Sequence, residues 1–328
     1  ADTQTAQAVK SINAQFRVAL TGTPIENHLS ELWSIFDYLL PGYLFTYSSF
    51  RKRFEMPIVH DQDDVLERRL KEMIQPFILR RLKQDVLHDL PAKLEEVSYA
   101  PLADEQKELY DARVQRLKIL LAKQSDEEFR ENKILVLSEL TKLRELCCDP
   151  RLLYENYTGN SAKLEMCIEL LHVAIDSGHK VLLFSQFTSM LAIITRQLQE
   201  RGISYFLLQG STSQTERAKS VRQFQTDDTS VFCISLKAGG TGLNLTAADI
   251  VIHYDPWWNT AVENQASDRA HRIGQKNIVN IYKLIVKGTI EEKILAMQRE
   301  KSDLAAHILS GEGFSSARLS RQDLLNLL

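Results

Sequence analysis

From Ser161 to Val286 the chain alternates short, unbroken apolar runs with segments of helical spacing, and this rhythm restricts the possible folds severely. The runs are Val181-Leu182-Leu183-Phe184, Tyr205-Phe206-Leu207-Leu208, Val231-Phe232-Cys233-Ile234 and Ile250-Val251-Ile252-His253, with a longer one from Val279 to Val286. They lack the polar alternation of a half-exposed strand and suit strands covered on both faces. Between them lie helical stretches: 161–177, closed by Gly178; one ending at Arg201; one opened by the capping box Ser213-Gln214-Thr215-Glu216 and reaching Phe224; and one opened by a second box, Thr260-Ala261-Val262-Glu263, and running to about Arg272. Strands separated by helices of about ten to fifteen residues imply βαβ units and a parallel sheet, an α/β fold.

Upstream, Gln15-Phe16-Arg17-Val18-Ala19-Leu20 has the composition of a short strand running into a Thr21-Gly22-Thr23-Pro24 turn. Apolar residues at helical spacing (Leu32, Ile35, Phe36, Leu39) predict a helix from Leu29 to Leu40, ended by Pro41-Gly42. Phe50 to about His88 is helical and basic-rich, and an extended stretch from Leu94 to Ala100 follows Pro91. Residues 103–148 are helical throughout, an insertion with Asp104 as N-cap and two apolar stripes: Leu109, Tyr110, Val114, Leu117, Leu121, then Ile134, Leu137, Leu140, Leu143, Cys147. Thr289 caps a final long helix, and the tail beyond Gly311-Glu312-Gly313 ends in a short amphipathic piece, Asp323 to Leu328. The expected organisation is 1–90, 91–160, 161–288 and 289–328.

No apolar stretch reaches the ~18 residues a membrane span needs, so no membrane partner is expected. Cys147, Cys148, Cys167 and Cys233 suit buried thiols of a reducing compartment rather than staples or a metal site. The net charge of -3 gives no global polybasic signature, so any nucleic-acid binding must use local patches.

Two constellations carry chemistry. In Gln265-Ala266-Ser267-Asp268-Arg269-Ala270-His271-Arg272, spacings of four and three put Gln265, Arg269 and Arg272 on one helical face. Two permanently charged guanidinium forks suit a polyphosphate, and a solvated basic face is the plainer alternative. This helix follows a strand and the Asp255-Pro256-Trp257-Trp258 corner, at the carboxyl edge where α/β sheets place ligands. The second is Ser235-Leu236-Lys237-Ala238-Gly239-Gly240-Thr241-Gly242-Leu243-Asn244, whose glycines let backbone approach a ligand. A dinucleotide loop would need a third glycine where Leu245 stands, and no acidic residue is suitably placed for a ribose; both count against a nicotinamide enzyme.

Leu20-Thr21-Gly22-Thr23-Pro24-Ile25-Glu26-Asn27 resembles the coupling motif that ends the first lobe of Swi/Snf-type DNA translocases of helicase superfamily two. Ile78-Leu79-Arg80-Arg81-Leu82-Lys83-Gln84-Asp85-Val86 is similar to that family's segment before the hinge, and Phe184-Ser185-Gln186-Phe187 to its first second-lobe motif. The glycine loop and Gln265–Arg272, extended by Ile273-Gly274-Gln275, resemble its last two motifs. One departure is Thr260, where the family commonly has proline after Trp-Trp-Asn.

The resemblance implies a RecA-like parallel sheet flanked by helices with helical insertions, acting in an ATP hydrolase that translocates on double-stranded DNA and remodels protein–DNA complexes. It implies ATP and Mg2+ held mainly by an N-terminal ATPase lobe, because none of the 13 glycines here is followed by lysine. By the same resemblance, Arg269 and Arg272 are arginine fingers, with Gln265, Gly240, Gly242 and Asp268 at the nucleotide. Ser185, Gln186, Gly210, Ser211, Lys237, Thr241, Asn244 and Trp257 face DNA, with aromatic packing between sheet and helix the alternative for Trp257; Thr21, Gly22, Thr23, Arg80 and Arg81 couple the lobes, with a salt-bridged surface the alternative for Arg80 and Arg81. The runner-up is a nucleic-acid-binding regulatory module with a degenerate ATPase half. Location would be cytoplasmic and nucleoid-associated in a bacterium, which the lack of long charged or low-complexity tails favours, or nuclear in a eukaryote.

Overall fold

The computed structural model describes residues 4–21, 29–60, 63–79, 81, 87, 89–123, 125–238 and 243–298, together with Leu328. These divide into two compact units: the residues up to 82 with Gln298, and residues 83–297 with Leu328.

The first unit is helical. Helix α1 (Gln4–Lys10) precedes α2 (Leu29–Leu39), α3 (Tyr47–Phe50), a π-turn over Arg51–Glu55, α4 (Met56–His60) and α5 (Asp64–Ile74), with a single 3-10 turn at Gln75–Phe77. Leu29, Leu32, Trp33, Phe36, Phe50, Phe54, Ile58 and Leu70 form its core. The expected helix ahead of Pro41-Gly42 is present. The strand expected over 15–20 is absent: Phe16 and Leu20 are 88% and 96% exposed. A strand holds only when a neighbour takes its amides and carbonyls, and no described strand lies beside this one. The helical run expected from Phe50 to about His88 is interrupted after Phe77, with Ile78 extended, and residues 80, 82–86 and 88 of that stretch lie outside the described ones.

The second unit is built on a six-stranded sheet, all parallel, in the order β1-β6-β5-β2-β4-β3. Its strands are β1 (Lys93–Ala100), β2 (Val181–Ser185), β3 (Tyr205–Leu208), β4 (Val231–Ser235), β5 (Ile250–His253) and β6 (Val279–Val286). Three helices of the inserted block, α6 (Asp104–Lys123), α7 (Asp126–Glu131) and α8 (Lys133–Cys148), follow β1. Helices α9 (Ala162–Asp176), α10 (Thr188–Glu200), α11 (Gln214–Thr226) and α12 (Thr260–Ser267) connect or flank the remaining strands.

The apolar runs have a simple cause. Val181 and Leu183 pack into one core with Leu171, Leu191 and Ile194, while Leu182 and Phe184 pack into another with Phe224, Phe232 and Ala266. Strands β2, β4 and β5 therefore bury both of their faces, whereas β1 at the edge of the sheet stays largely exposed. Gly178, at φ 80°, closes α9, its neighbour His179 donating back to the Ala174 carbonyl at 3.0 Å. The Ser213–Glu216 capping box is formed. The four cysteines are buried, free thiols, and no helix among the described residues is long and apolar enough to cross a membrane.

Details of the helical reading change. Asp104 lies inside the first turn of α6, whose ladder begins at the Ala103 carbonyl. The second stripe runs Val136, Leu140, Leu143, Cys147, leaving Ile134 83% exposed and Leu137 45% exposed. Asn259, not Thr260, caps α12: its side chain accepts from the Ala261 amide at 2.9 Å. Glu263 is buried and accepts from the Trp257 amide at 2.6 Å. The helix ends at Ser267, and residues 268–272 are turns.

The start of the final helix, with helical backbone over 290–298, is pinned from two sides. Lys163 of α9 donates to both carboxylate oxygens of Glu291 at 2.6 and 2.7 Å, with both side chains fully buried. The Ile290 amide donates to the Tyr110 hydroxyl of α6 at 2.8 Å.

Three stability measurements follow. Lys163→Met leaves a buried carboxylate unpaired and is expected to cost about 3–5 kcal/mol in urea unfolding. Lys163→Met with Glu291→Leu should recover most of that loss. Asn259→Ala should cost about 1 kcal/mol and Thr260→Ala close to nothing, the reverse of the order the sequence suggests. Burial, with Lys283 nearby, pushes His253 down to about 3. The unfolded chain therefore binds this proton first. Stability is full above about pH 6.5 and falls by about 1.4 kcal/mol per pH unit below it, until about pH 3. His253→Gln should flatten that part of the profile relative to the parent chain.

Candidate phosphate and nucleic-acid site

Because the sheet is wholly parallel, the carboxyl ends of its strands share one edge. The chain moves from β2 towards β3 and β4, then returns past β2 to β5 and β6, so β2 and β5 flank the switch point where such sheets leave a crevice. Ser185 ends β2 and Gln186 follows it, Gly210 and Ser211 follow β3, Lys237 follows β4, and Trp257 follows β5. These six nominated residues thus gather at one edge.

One carboxylate ties the β2 and β5 exits together. Asp255, 3% exposed, accepts from the Ser185 hydroxyl at 2.5 Å and from the Gln186 amide at 3.3 Å. Arg144 of α8 lies 3.8 Å from its other oxygen. Burial raises the Asp255 pKa against the opposing influence of Arg144 and Ser185. The Ser185 hydroxyl, expected at a phosphate, donates instead inside the protein, because a carboxyl group buried here needs hydrogen-bond partners. Gln186 keeps its side-chain Nε2 without a hydrogen-bond partner. Gly210, Ser211, Lys237 and Asn244 are exposed, and Trp257 is half-buried against the core behind the edge.

Arg269 and Arg272 sit in the turns after α12, so a regular helical face does not present them. Gln275 fixes these turns: its Nε2 donates to the carbonyls of Thr246, Ala248 and Ala270 at 3.2, 2.8 and 3.1 Å. The Leu245 amide donates to the Arg269 carbonyl at 3.0 Å. Gly274, at φ 104°, takes a backbone conformation that a side chain would strain. Arg269 is 5% exposed, and its pKa is lowered by burial and by the charges of Arg272 and Arg217, with Asp268 opposing. Gln265 is exposed on α12, and Arg272 is exposed with one nitrogen donating to the Leu243 carbonyl at 2.9 Å.

Sequence reasoning missed Arg217. It lies on α11 and donates to the Ala238 carbonyl at 2.8 Å. Arg217 and Arg272 therefore hold the two residues that flank the glycine loop. Gly240, Thr241 and Gly242 lie outside the described residues, as do Gly22, Thr23 and Arg80, while Thr21 and Arg81 are exposed in the first unit. Arg217 is one of two arginines on α11, and only the fold distinguishes it. Asp255 was legible in the Asp255-Pro256-Trp257-Trp258 corner, but its partner Arg144, over a hundred positions away, was not. No cluster of metal-ligating side chains occurs among the described residues. Converging guanidinium groups beside exposed backbone can bind phosphate oxygens, with amide and lysine donors along the same edge.

Comparison with known proteins supplies the wider context. Residues 1–152 match the SNF2-related domain, and residues 162–274 match the helicase conserved C-terminal domain. A putative ATP-dependent helicase/translocase of Bacillus subtilis, YwqA, is 42% identical across 100% of this chain and 36% of its own length. The TATA-binding protein-associated factor MOT1 of Saccharomyces cerevisiae is 35% identical over 98% of this chain and 20% of its own. The chain thus spans about a third or less of these curated relatives. The Sulfolobus solfataricus SWI2/SNF2 ATPase core domain is similar with a TM-score of 0.59 and 37% identity, over 100% of this chain and 68% of that one. The same core in complex with dsDNA gives a TM-score of 0.57 and 37% identity, over 94% and 65%. With both domains matched and a solved ATPase core similar along its whole length, this chain belongs to the SWI2/SNF2 family.

Proposed function

We propose that this chain carries the second-lobe side of an ATP-driven motor that moves along double-stranded DNA and remodels protein–DNA complexes. The observation that carries the reading is the Arg269–Arg272 turn, stapled by Gln275 beside the glycine loop at the carboxyl edge of a parallel sheet. In this reading Arg269 and Arg272 meet the γ-phosphate of an ATP whose phosphates and Mg2+ are gripped mainly by the N-terminal ATPase lobe, with Gln265, Asp268, Gly240 and Gly242 lining this side. An arginine finger contributes on the order of 10³–10⁵ in rate, about 4–7 kcal/mol of barrier.

The same edge offers backbone-reading contacts. Gln186, Gly210, Ser211, Lys237, Thr241 and Asn244 supply amides, side-chain donors and one cation, which position a duplex without reading its sequence. Thr21, Gly22, Thr23, Arg80 and Arg81 would transmit closure between lobes. A similar core solved in complex with dsDNA supports the duplex as partner, and a relative named for its association with a TATA-binding protein supports a protein–DNA complex as substrate.

Fluorescence anisotropy with labelled duplexes of unrelated sequence tests the DNA half. Affinity should be weak, indifferent to sequence, and fall with salt at a log–log slope of about -0.9 per phosphate engaged. A flat salt titration contradicts phosphate-dominated binding. The chain by itself should show no DNA-stimulated ATP hydrolysis, and measurable turnover by the purified chain would refute the division of labour proposed here.

A further inference from the structure

Arg144 lies on α8 of the inserted helical block, far in sequence from every motif at the edge, yet it is 3% exposed and converges on both strand exits. Its Nη2 donates to the Pro256 carbonyl at 2.5 Å and lies 3.8 Å from Asp255. Its guanidinium carbon is 5.6 Å from the ring centre of Phe187, 5.5 Å from that of Trp257 and 5.7 Å from that of Trp258. Phe187 belongs to the exit of β2, and residues 255–258 belong to the exit of β5. One cation therefore meets the segments on both sides of the switch point.

A buried arginine is a costly way to fill space. Apolar residues of similar volume often serve stability as well or better. What arginine adds is a rigid planar fork that can satisfy a carbonyl and a carboxylate while its faces stack on aromatic rings, a geometry lysine cannot copy. The neighbouring Tyr254 hydroxyl donates to the Cys148 carbonyl at 2.9 Å, so the end of α8 is fastened to the same corner. Gln186, whose amide shares Asp255 with Arg144, holds a buried side-chain Nε2 with no hydrogen-bond partner among the described residues.

We propose that Arg144 is a positioning residue for duplex binding: it locks the β2 and β5 exits at one separation, so that Gln186 and Trp257 present a single surface to the DNA backbone. The assignment rests on the DNA-binding reading above. It gives the helical block a part in setting the DNA edge, although Arg144 itself touches no ligand.

Duplex affinity of the 328-residue chain, measured by anisotropy at low salt, provides the test. Arg144→Lys keeps the charge and removes the fork, and should weaken binding at least fivefold while shifting tryptophan emission. Leu140→Ala, in the core of the same helix, is the control: it should destabilise the chain to urea and leave affinity within twofold. If Arg144→Lys does not fold, Trp258→Leu removes one ring wall and should show the same fivefold loss. Parent-like affinity in Arg144→Lys, or in Trp258→Leu where it stands in, overturns the assignment alone, as does equal weakening by Leu140→Ala. Failure of the parent chain to bind any duplex overturns the DNA reading itself, and this assignment with it.

Discussion

The carboxylate of Asp255 is buried where two neighbouring parallel strands end. A carboxylate in that position has to be surrounded by polar partners, and it collects them from two separate parts of the chain: the Ser185 hydroxyl and Gln186 amide at the end of β2, and the Arg144 guanidinium, 3.8 Å away, from the inserted helices. The consequence is mechanical. Residues that fold as independent elements are held to one corner, and losing any donor would leave charge uncompensated in the interior. The relative placement of the edge residues follows from this corner, as does the entry of the chain into α12. There the Trp257 amide is held by Glu263 and the helix is capped by Asn259.

From α12 onward the constraint passes to Gln275. A single side-chain amide takes three carbonyls, and so fastens the arginine turns to residues 246–248 without regular helix. Arg217 and Arg272 then hold the carbonyls of Ala238 and Leu243 on either side of the glycine loop. In the proposed motor the N–H groups of Arg272 that do not hold Leu243 would serve a phosphate oxygen, so that one guanidinium group anchors Leu243 and meets the nucleotide.

Much of this was visible in the sequence, for identifiable reasons. Strands covered on both faces show as unbroken apolar runs, so all five strands from β2 to β6 were found close to their observed bounds. Glycine and capping signals act locally, which is why Gly178 and the Ser213 box were legible. Errors arose where a distant partner decides the outcome. Residues 15–20 have strand composition, but composition cannot supply a neighbouring strand. Thr260 is as good a cap as Asn259 by type, but Glu263 is drawn to the Trp257 amide and the cap moves back one residue. Arg269 and Arg272 have helical spacing, yet the carbonyls competing for Gln275 and Arg272 favour turns. The site as a whole was legible only as a set of motifs in order; Arg144 and Arg217 carry no sequence signal that separates them from ordinary surface charge.

The central claim is that Arg272 acts on the nucleotide and not on the DNA. In a longer protein that includes the phosphate-binding lobe, Arg272→Ala should be compared with the parent for ATP turnover and for duplex affinity at one salt concentration. The account predicts that turnover falls by about 10³-fold or more while duplex affinity stays within twofold. Loss of duplex affinity with turnover restored at saturating DNA would contradict it and make Arg272 a DNA contact.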